Sequence, residues 1–171
     1  MLTLHQLNAL DRAAFTAALG HFFEHSPWVV EETWPRRPFR DPTHLLVELC
    51  TTMRSASPAR QLVLIRAHPD LAGRLAQQNA LTAESTREQA SAGLNRLTDA
   101  ELAEFQRLNT AYLARFGFPF IICARLNAKS AILAAMTGRL QQNPEHEFTT
   151  ALSEIEKIAH LRLNDLLEKT L

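Results

Sequence analysis

The chain has 171 residues, 46% of them hydrophobic, which is typical of a single globular domain, and we expect residues 1–171 to form one. Eighteen Lys and Arg balance eighteen Asp and Glu, which excludes the basic surface that a nucleic-acid-binding protein needs. This balance favours a small neutral or anionic ligand.

Polar residues interrupt the N-terminal segment MLTLHQLNALDR before an apolar secretory region could form, and no apolar run reaches membrane-spanning length. We therefore expect a cytoplasmic protein without a membrane segment. The final residues KTL differ from the peroxisomal signal SKL, although they are similar in character, so the compartment stays open in a eukaryotic source. Cys50 and Cys123 lie far apart and match no zinc or C-x-x-C spacing, so we expect reduced thiols that fill the core and no metal site.

A proline after a residue that can cap a helix is typical of a helix start. Five pairs have this form: Ser26-Pro27, Asp41-Pro42, Ser57-Pro58, His68-Pro69 and Asn143-Pro144. Capping-box patterns predict two more starts, at Ser85–Glu88 and Thr98–Glu101, and another start is expected near Asn127. Hairpin signals and sustained alternation are absent from the sequence, so we predict an all-α fold, a single multi-helix domain.

The segment FGFPFIICAR, from Phe116 to Arg125, is the main exception to the helical pattern. Gly117 can end the preceding helix, and Pro119 opposes its continuation. The β-favouring residues that follow predict an extended stretch. Its backbone N–H groups would then be available to a ligand.

A long last helix is predicted over residues 145–168, and its periodicity places an arginine on the buried side. The apolar stripe contains Phe148, Leu152, Ile155, Ile158, Ala159 and Leu166. Arg162 lies four residues from both Ile158 and Leu166, so it projects from the middle of this stripe. A buried guanidinium needs a carboxylate, carbonyl groups or a ligand, so Arg162 is a structural ion-pair partner, a side chain that extends to solvent, or a ligand-binding group.

Glu88 has two interpretations in the sequence. It can be the third residue of the capping box that begins at Ser85. Its helical neighbours Ser85, Ser91 and Ala92 are all small, so its face could instead form a hollow that a ligand fills.

His68 also has two interpretations. The residue before a proline is biased toward extended geometry, so His68 should lie at a corner with its imidazole projecting. It could be a cap or surface residue, or it could carry protons near neutral pH.

Two rival functions are considered. The segment HFFEH, residues 21–25, matches the H-x-x-E-H pattern of some metalloproteases. However, Ser26-Pro27 starts a new helix directly afterwards, and no third ligand is evident. The other rival is a helical interaction module without enzymatic activity, which would not need the combination of His68, Glu88, Arg162 and an extended segment.

Six motifs give the chain a clear family resemblance. In order they are EHSPWV from Glu24, HPDLAG from His68, EST.EQ from Glu84, AGL from Ala92, FGFPFIICAR from Phe116 and EI.KIAHLRL from Glu154. With these motifs the chain resembles the 2-oxo-4-hydroxy-4-carboxy-5-ureidoimidazoline (OHCU) decarboxylases of urate breakdown. They span nearly the whole chain, which makes the resemblance far more specific than any one motif.

The resemblance implies an all-α homodimeric enzyme that needs no cofactor, with OHCU as substrate and allantoin as product. It implies that His68 is the catalytic acid or base and that Glu88 and Arg162 hold the substrate. Further residues are implied to line the pocket: Pro69, then Ser85, Thr86, Arg87, Glu88 and Gln89, and the backbone of Phe120, Ile121, Ile122, Cys123 and Ala124.

The implied chemistry explains why a cofactor is not needed. The reacting carbon carries a hydroxyl and a carboxylate beside a ring carbon–nitrogen double bond, and this bond can accept the electrons left when carbon dioxide departs. The protein then has to orient the carboxylate, stabilise the intermediate and deliver a proton to one face, giving (S)-allantoin. Whether His68 first acts on the hydroxyl or only donates this proton is left open by the sequence.

Overall fold

The computed structural model describes residues 1–73 and 81–167, and within these ranges every regular element is a helix. The α-helices are α1 (Leu4–Ala9), α2 (Arg12–Leu19), α3 (Trp28–Thr33), α4 (Pro42–Ser55), α5 (Pro58–Ala67), α6 (Ala83–Ser91), α7 (Asp99–Phe116), α8 (Lys129–Arg139) and α9 (Pro144–Leu166). Short 3₁₀ helices lie at Gly20–Phe22, Trp34–Arg36 and Ala124–Leu126. The prediction of an all-α fold is confirmed.

Several predicted helix boundaries are confirmed by their capping contacts. Asp41 caps α4 by accepting a hydrogen bond from the His44 N–H at 2.7 Å. Thr98 and Glu101 form a complete capping box at the start of α7. That helix ends at Gly117, whose φ of 72° is the left-handed geometry that glycine adopts without strain.

Two predicted helix starts are wrong in the described residues. At His68-Pro69 no helix begins, because residues 69–73 are irregular or turn and Ala72 has a φ of 50°. Residues 74–80 lie outside the described part. Ser85 does not cap α6: Thr82 caps it, accepting the Ser85 N–H at 3.2 Å, so the helix begins one turn earlier. A smaller difference from the predicted start at Ser26-Pro27 is that α3 begins at Trp28, with Pro27 in the capping position.

The contacts divide the chain into two compact units. One comprises Met1–Ala67 and Ile155–Leu171, and the other comprises His68–Glu154. The expectation of one domain over residues 1–171 stays a prediction. Helix α9 contributes residues to both ranges.

The first unit has a core of phenylalanine and aliphatic side chains. Helix α3 packs against α2 and α4. The fully buried side chains include Phe15, Leu19, Phe22, Phe23, Val29, Leu45, Leu49 and Met53. Leu2 and Leu167 form a parallel β-bridge, and the Leu2 N–H donates to the Leu166 carbonyl at 3.0 Å.

The second unit has an aromatic cluster at its centre. The ring of Tyr112 on α7 lies 4.6 Å from that of Phe116 and 5.2 Å from that of Phe120, between ring centroids. Phe118 contacts Tyr112 and Phe148 edge to face. The cluster therefore holds the segment after Gly117 against α7 and α9.

Both cysteines are free thiols, as predicted. Cys123 is buried, whereas Cys50 is only half-buried and so fills the core incompletely. Burial raises the pKa of the Cys50 thiol to about 12. Among residues 1–73 and 81–167, none of the helices is long and apolar enough to cross a membrane.

Candidate active site

His68 lies in the bend that follows α5. The proline after it disfavours helical geometry at His68, which explains why α5 ends at Ala67. The corner position predicted from the sequence is therefore confirmed. The side chain, however, is not on the surface, because His68 is 7% exposed.

The turn after His68 is fixed by amide side chains from two helices. Gln89 on α6 accepts the Ala72 N–H at 2.9 Å and donates to the Asp70 carbonyl at 3.4 Å. Asn109 on α7 donates to the Leu71 carbonyl at 2.9 Å. These contacts hold the backbone next to His68 in one geometry, and Asn109 was not identified from the sequence.

Gly73 closes this turn in a place where a side chain would not fit. Its N–H donates to the Asp70 carbonyl at 3.3 Å. A Cβ atom on Gly73 would lie 2.4 Å from the Cβ of Asp70, a distance far inside van der Waals contact. The glycine of HPDLAG is thus required by close packing within the turn.

Helix α6 presents the predicted EST.EQ residues on two faces. Ser85 and Gln89 are buried, and Glu88 is half-buried. Thr86 and Arg87 are exposed, and Arg87 contacts Glu84 at 3.3 Å. Glu88 is not a capping residue, because α6 begins at Ala83. The hollow expected beside it stays a prediction.

The segment from Phe118 to Ala124 is buried along its whole length. Cys123 has extended geometry, with φ −69° and ψ 93°, as predicted. Ala124 instead begins the 3₁₀ helix Ala124–Leu126, which lies beside α6.

The pKa of the Cys123 thiol depends on the charges around this segment. Burial is the main cause that raises its pKa, and the nearby carboxylates of Glu154 and Glu88 raise it further. Glu88 therefore lies close enough to Cys123 to act on it electrostatically. The second unit thus brings together α6 with Glu88, the turn after His68, and the segment that contains Phe120–Ala124.

Arg162 belongs to the first unit, and the prediction that it points inward is confirmed. It is 5% exposed on α9. Its Nη1 atom donates to the His21 carbonyl at 2.5 Å and lies 3.4 Å from Oε2 of Glu24, which is also buried. The contact with Glu24 supports the ion-pair interpretation, and binding of a ligand by Arg162 stays a prediction.

The H-x-x-E-H segment does not form the helix that the metalloprotease pattern needs. Helix α2 ends at Leu19, and a 3₁₀ helix covers Gly20–Phe22. His25 has a φ of 48°, and Glu24 faces Arg162. Across residues 1–73 and 81–167, no three His, Cys, Asp or Glu side chains are grouped as metal ligands would be. The segment instead supplies two groups that contact Arg162, the His21 carbonyl and the Glu24 carboxylate.

Two glutamates on α9 were missed by the sequence reasoning. Glu147 is fully buried, and Glu154 is 8% exposed. Both follow the helical repeat of buried positions, since Glu147, Ala151, Glu154 and Ile158 are spaced by four, three and four residues. The projection that identified Arg162 contained this signal as well.

Comparison with known proteins decides the family. A family model described as OHCU decarboxylase matches residues 8–164, most of the chain. The chain belongs to the OHCU decarboxylase family. The resemblance noted from the motifs is confirmed.

Relatives from distant organisms align with nearly the whole length of this family member. The 2-oxo-4-hydroxy-4-carboxy-5-ureidoimidazoline decarboxylase of Halalkalicoccus jeotgali is 43% identical over 165 residues, which is 96% of this chain and 92% of the relative. The protein of the same name in Mus musculus is 41% identical over 162 residues, 95% of this chain and 91% of the relative.

A solved structure gives the same result for the fold. The crystal structure of (S)-allantoin synthase is 32% identical, has a TM-score of 0.75 and covers 97% of this chain. The chain spans 54% of the length of that solved protein. This OHCU decarboxylase family member therefore corresponds to about half of that longer chain.

Proposed function

We propose that the protein catalyses cofactor-free decarboxylation of OHCU to (S)-allantoin in urate degradation. The similarity of nearly the whole chain to the OHCU decarboxylases carries this proposal. The likeness to an (S)-allantoin synthase supports the identity and handedness of the product.

The reaction begins with cleavage of the bond between the ring carbon and its carboxylate. Carbon dioxide leaves, and the electron pair of that bond moves into the adjacent carbon–nitrogen double bond. This leaves a carbon–carbon double bond to the adjacent ureido-bearing carbon, and the ring nitrogen takes the proton that the hydroxyl loses. A second proton then adds to the ureido-bearing carbon as the hydroxyl oxygen becomes a carbonyl, which gives allantoin. Because the substrate accepts its own electrons, the protein has only to bind, orient and donate a proton.

His68 is proposed as the proton donor. Imidazole ordinarily titrates near neutral pH, so both protonation states are accessible under physiological conditions. The turn contacts made by Gln89 and Asn109 support this role, because a proton donor must be held at a fixed position. Delivery from one fixed side would produce one enantiomer.

Glu88 is proposed to orient the substrate. A carboxylate accepts hydrogen bonds, and the ureido and ring N–H groups of OHCU are donors. The half-buried position of Glu88 on α6 supports this role, because it leaves part of the side chain accessible. The remaining substrate contacts are proposed for three further parts of the second unit. These are Ser85, Thr86, Arg87 and Gln89 of the same helix, Pro69, and the Phe120–Ala124 backbone.

Arg162 is proposed to bind an anionic or carbonyl-rich part of the substrate. A guanidinium matches the planar geometry of a carboxylate with two parallel donors. Its burial supports this role, because an ion pair is strongest away from water.

We further propose that the protein acts as a homodimer in the cytoplasm. The family resemblance supports the dimer, and the neutral overall charge is compatible with either state. Light scattering at micromolar concentration should give twice the mass of the 19.2 kDa chain. A mass equal to that of one chain would contradict the dimer.

The test of the function compares two histidine variants. Substrate is generated in place from urate with urate oxidase and hydroxyisourate hydrolase, and formation of (S)-allantoin is followed by circular dichroism. His68→Ala should lower kcat by about a hundredfold to ten-thousandfold, the range for loss of a general acid or base. The control His160→Ala changes an exposed histidine on α9 and should keep normal turnover.

Three results would contradict the proposal. Wild-type protein that does not accelerate (S)-allantoin formation would exclude the activity. A folded His68→Ala variant with normal kcat would exclude His68 as the proton donor. Activity that a chelator abolishes and zinc restores would exclude the cofactor-free mechanism.

A further inference from the structure

Two charged side chains bind the backbone of the Phe120–Ala124 segment. Arg139 on α8 donates through Nη1 to the Ile121 carbonyl at 2.8 Å. Glu154 on α9 accepts the Cys123 N–H through Oε2 at 2.8 Å. A cation therefore binds the carbonyl of Ile121, and an anion binds the N–H of Cys123 two residues later.

The spacing of these two contacts sets the direction of the remaining peptide groups. In an extended chain, the carbonyl before a residue and the N–H after it point to one edge, while the N–H and carbonyl of that residue point to the other. Ile122 lies between the two anchored groups. In extended geometry, its own N–H and carbonyl point to the opposite edge from the two anchored groups.

Arg139 is itself held in place by a buried cluster. Its Nε donates to Oε1 of Glu147 at 2.8 Å, and the Tyr112 hydroxyl donates to the same oxygen. The guanidinium carbon lies 4.3 Å from the centroid of the Phe120 ring. Burial, followed by the hydrogen bond to Glu147, raises the pKa of Tyr112, so this hydroxyl keeps its proton and remains a donor.

Burying these charged groups costs more free energy than apolar packing at the same positions would. Arg139, Glu147 and Glu154 are charged groups at sites that are mostly or fully shielded from water, and apolar side chains of similar size would avoid that desolvation. What the charges provide is directional hydrogen bonding to the backbone of one short segment.

We propose that Arg139 and Glu154 are positioning residues for the reaction, because they orient the peptide groups of Phe120–Ala124 toward the substrate. This inference rests on the proposed function, in which that backbone binds OHCU. The two side chains contact the segment and not the substrate, so their removal should weaken substrate binding without removing the proton donor.

The first test compares two variants of Glu154. Glu154→Leu removes the acceptor, whereas Glu154→Gln keeps an amide oxygen that can still accept the Cys123 N–H. Glu154→Leu should raise KM by about tenfold to a hundredfold with kcat within about threefold of wild type, the pattern of lost uniform binding. Glu154→Gln should restore most of the affinity.

The second test uses Arg139→Lys, which keeps a positive charge beside Glu147 and so preserves folding. An ammonium group cannot reproduce the planar guanidinium that reaches both Glu147 and the Ile121 carbonyl. KM should again rise by about tenfold. Gln61→Leu is the matched control, because Gln61 is a buried side chain that donates to the carbonyls of Met53 and Arg54 in α4. It should lower the melting temperature and leave KM unchanged.

The outcomes separate this inference from the function on which it rests. Wild type without turnover would overturn both. Active wild type with a normal KM in Arg139→Lys, or in a folded Glu154→Leu, would overturn the positioning role alone. If Gln61→Leu raised KM as much as the two positioning variants, the effect would be general destabilisation and the inference would again fail.

Discussion

The two units each contain a buried arginine–glutamate pair, and the pairs differ in geometry. In the second unit, Arg139 reaches one oxygen of Glu147 with two nitrogen atoms, Nε at 2.8 Å and Nη2. In the first unit, Nη1 of Arg162 is 3.4 Å from Glu24 and only 2.5 Å from the His21 carbonyl.

The difference shows that burial of a charge does not by itself define its role. Charge-assisted hydrogen bonds are short, and the attraction between charges decreases with distance. Glu147 therefore neutralises Arg139 by direct bonding. Nη1 of Arg162 instead contacts both the buried carboxylate of Glu24 and the His21 carbonyl. We interpret the Arg139–Glu147 pair as structural, and binding of an anionic or carbonyl group by Arg162 stays a prediction.

The largest stability effect is expected for Glu147→Gln. This change leaves Arg139 without its carboxylate in a buried site, and such a loss typically costs about 3–5 kcal/mol. Urea unfolding should report it. The control Glu145→Gln changes an exposed acid in the first turn of the same helix and should cost about 0.5 kcal/mol. Equal losses in the two variants would mean that Glu147 is not part of a structural pair.

A smaller effect on stability, combined with a large effect on binding, is expected for Arg162→Met. Loss of a charge-assisted contact should weaken allantoin binding by about tenfold to a hundredfold, measured by calorimetry. Removal of the arginine also takes a buried cation away from the carboxylate of Glu24, which should cost about 1–3 kcal/mol of stability. Arg162→Lys should not restore binding, because it lacks the planar donor pair.

A double variant separates the two effects of Arg162. Adding Glu24→Gln to Arg162→Met removes the buried carboxylate and should restore stability without restoring affinity. If affinity returned together with stability, Arg162 would be only the structural partner of Glu24.

The smallest effect concerns Asp70, a half-buried carboxyl whose pKa is raised by burial. Its folded pKa lies above its unfolded value, so the folded state binds the proton more tightly. Stability is therefore lost as pH rises from the unfolded toward the folded pKa, and the penalty persists above it. Asp70→Asn should remove this penalty and stabilise the protein at neutral pH. The gain should be a few tenths of a kcal/mol, because solvent partly screens a half-buried group. Melting curves at pH 3 to 7 would test this, and equal pH dependence in both proteins would exclude it.

Local patterns predicted the helix boundaries well where one capping residue was available. Asp41 and Gly117 have no nearby competitors, so their roles followed from the sequence. At α6, both Thr82 and Ser85 can act as caps one turn apart. Burial of Ser85 and Gln89 favours the earlier start, and burial depends on tertiary contacts that a local pattern does not contain.

Some features of the candidate site could be predicted from the sequence and others could not, for the same reason. Helical periodicity was enough to show that Arg162 points inward. Its partner Glu24 lies 138 residues earlier, and nothing in the sequence pairs the two. Arg139 and Glu154 act on peptide groups, which are the same for every residue type, so no spacing rule indicates which backbone atoms they bind.

The division of the first unit into two chain segments has a consequence for synthesis on the ribosome. The second unit is continuous, so all of its residues are available for folding once Glu154 has emerged. The first unit lacks the C-terminal half of α9 until the residues from Ile155 onward have been made, although residues 1–67 are made before the second unit. Its apolar side chains must therefore wait for contacts of very high sequence separation, such as the bridge between Leu2 and Leu167. Residues 1–67 are thus made before the second unit, but their unit is completed after it.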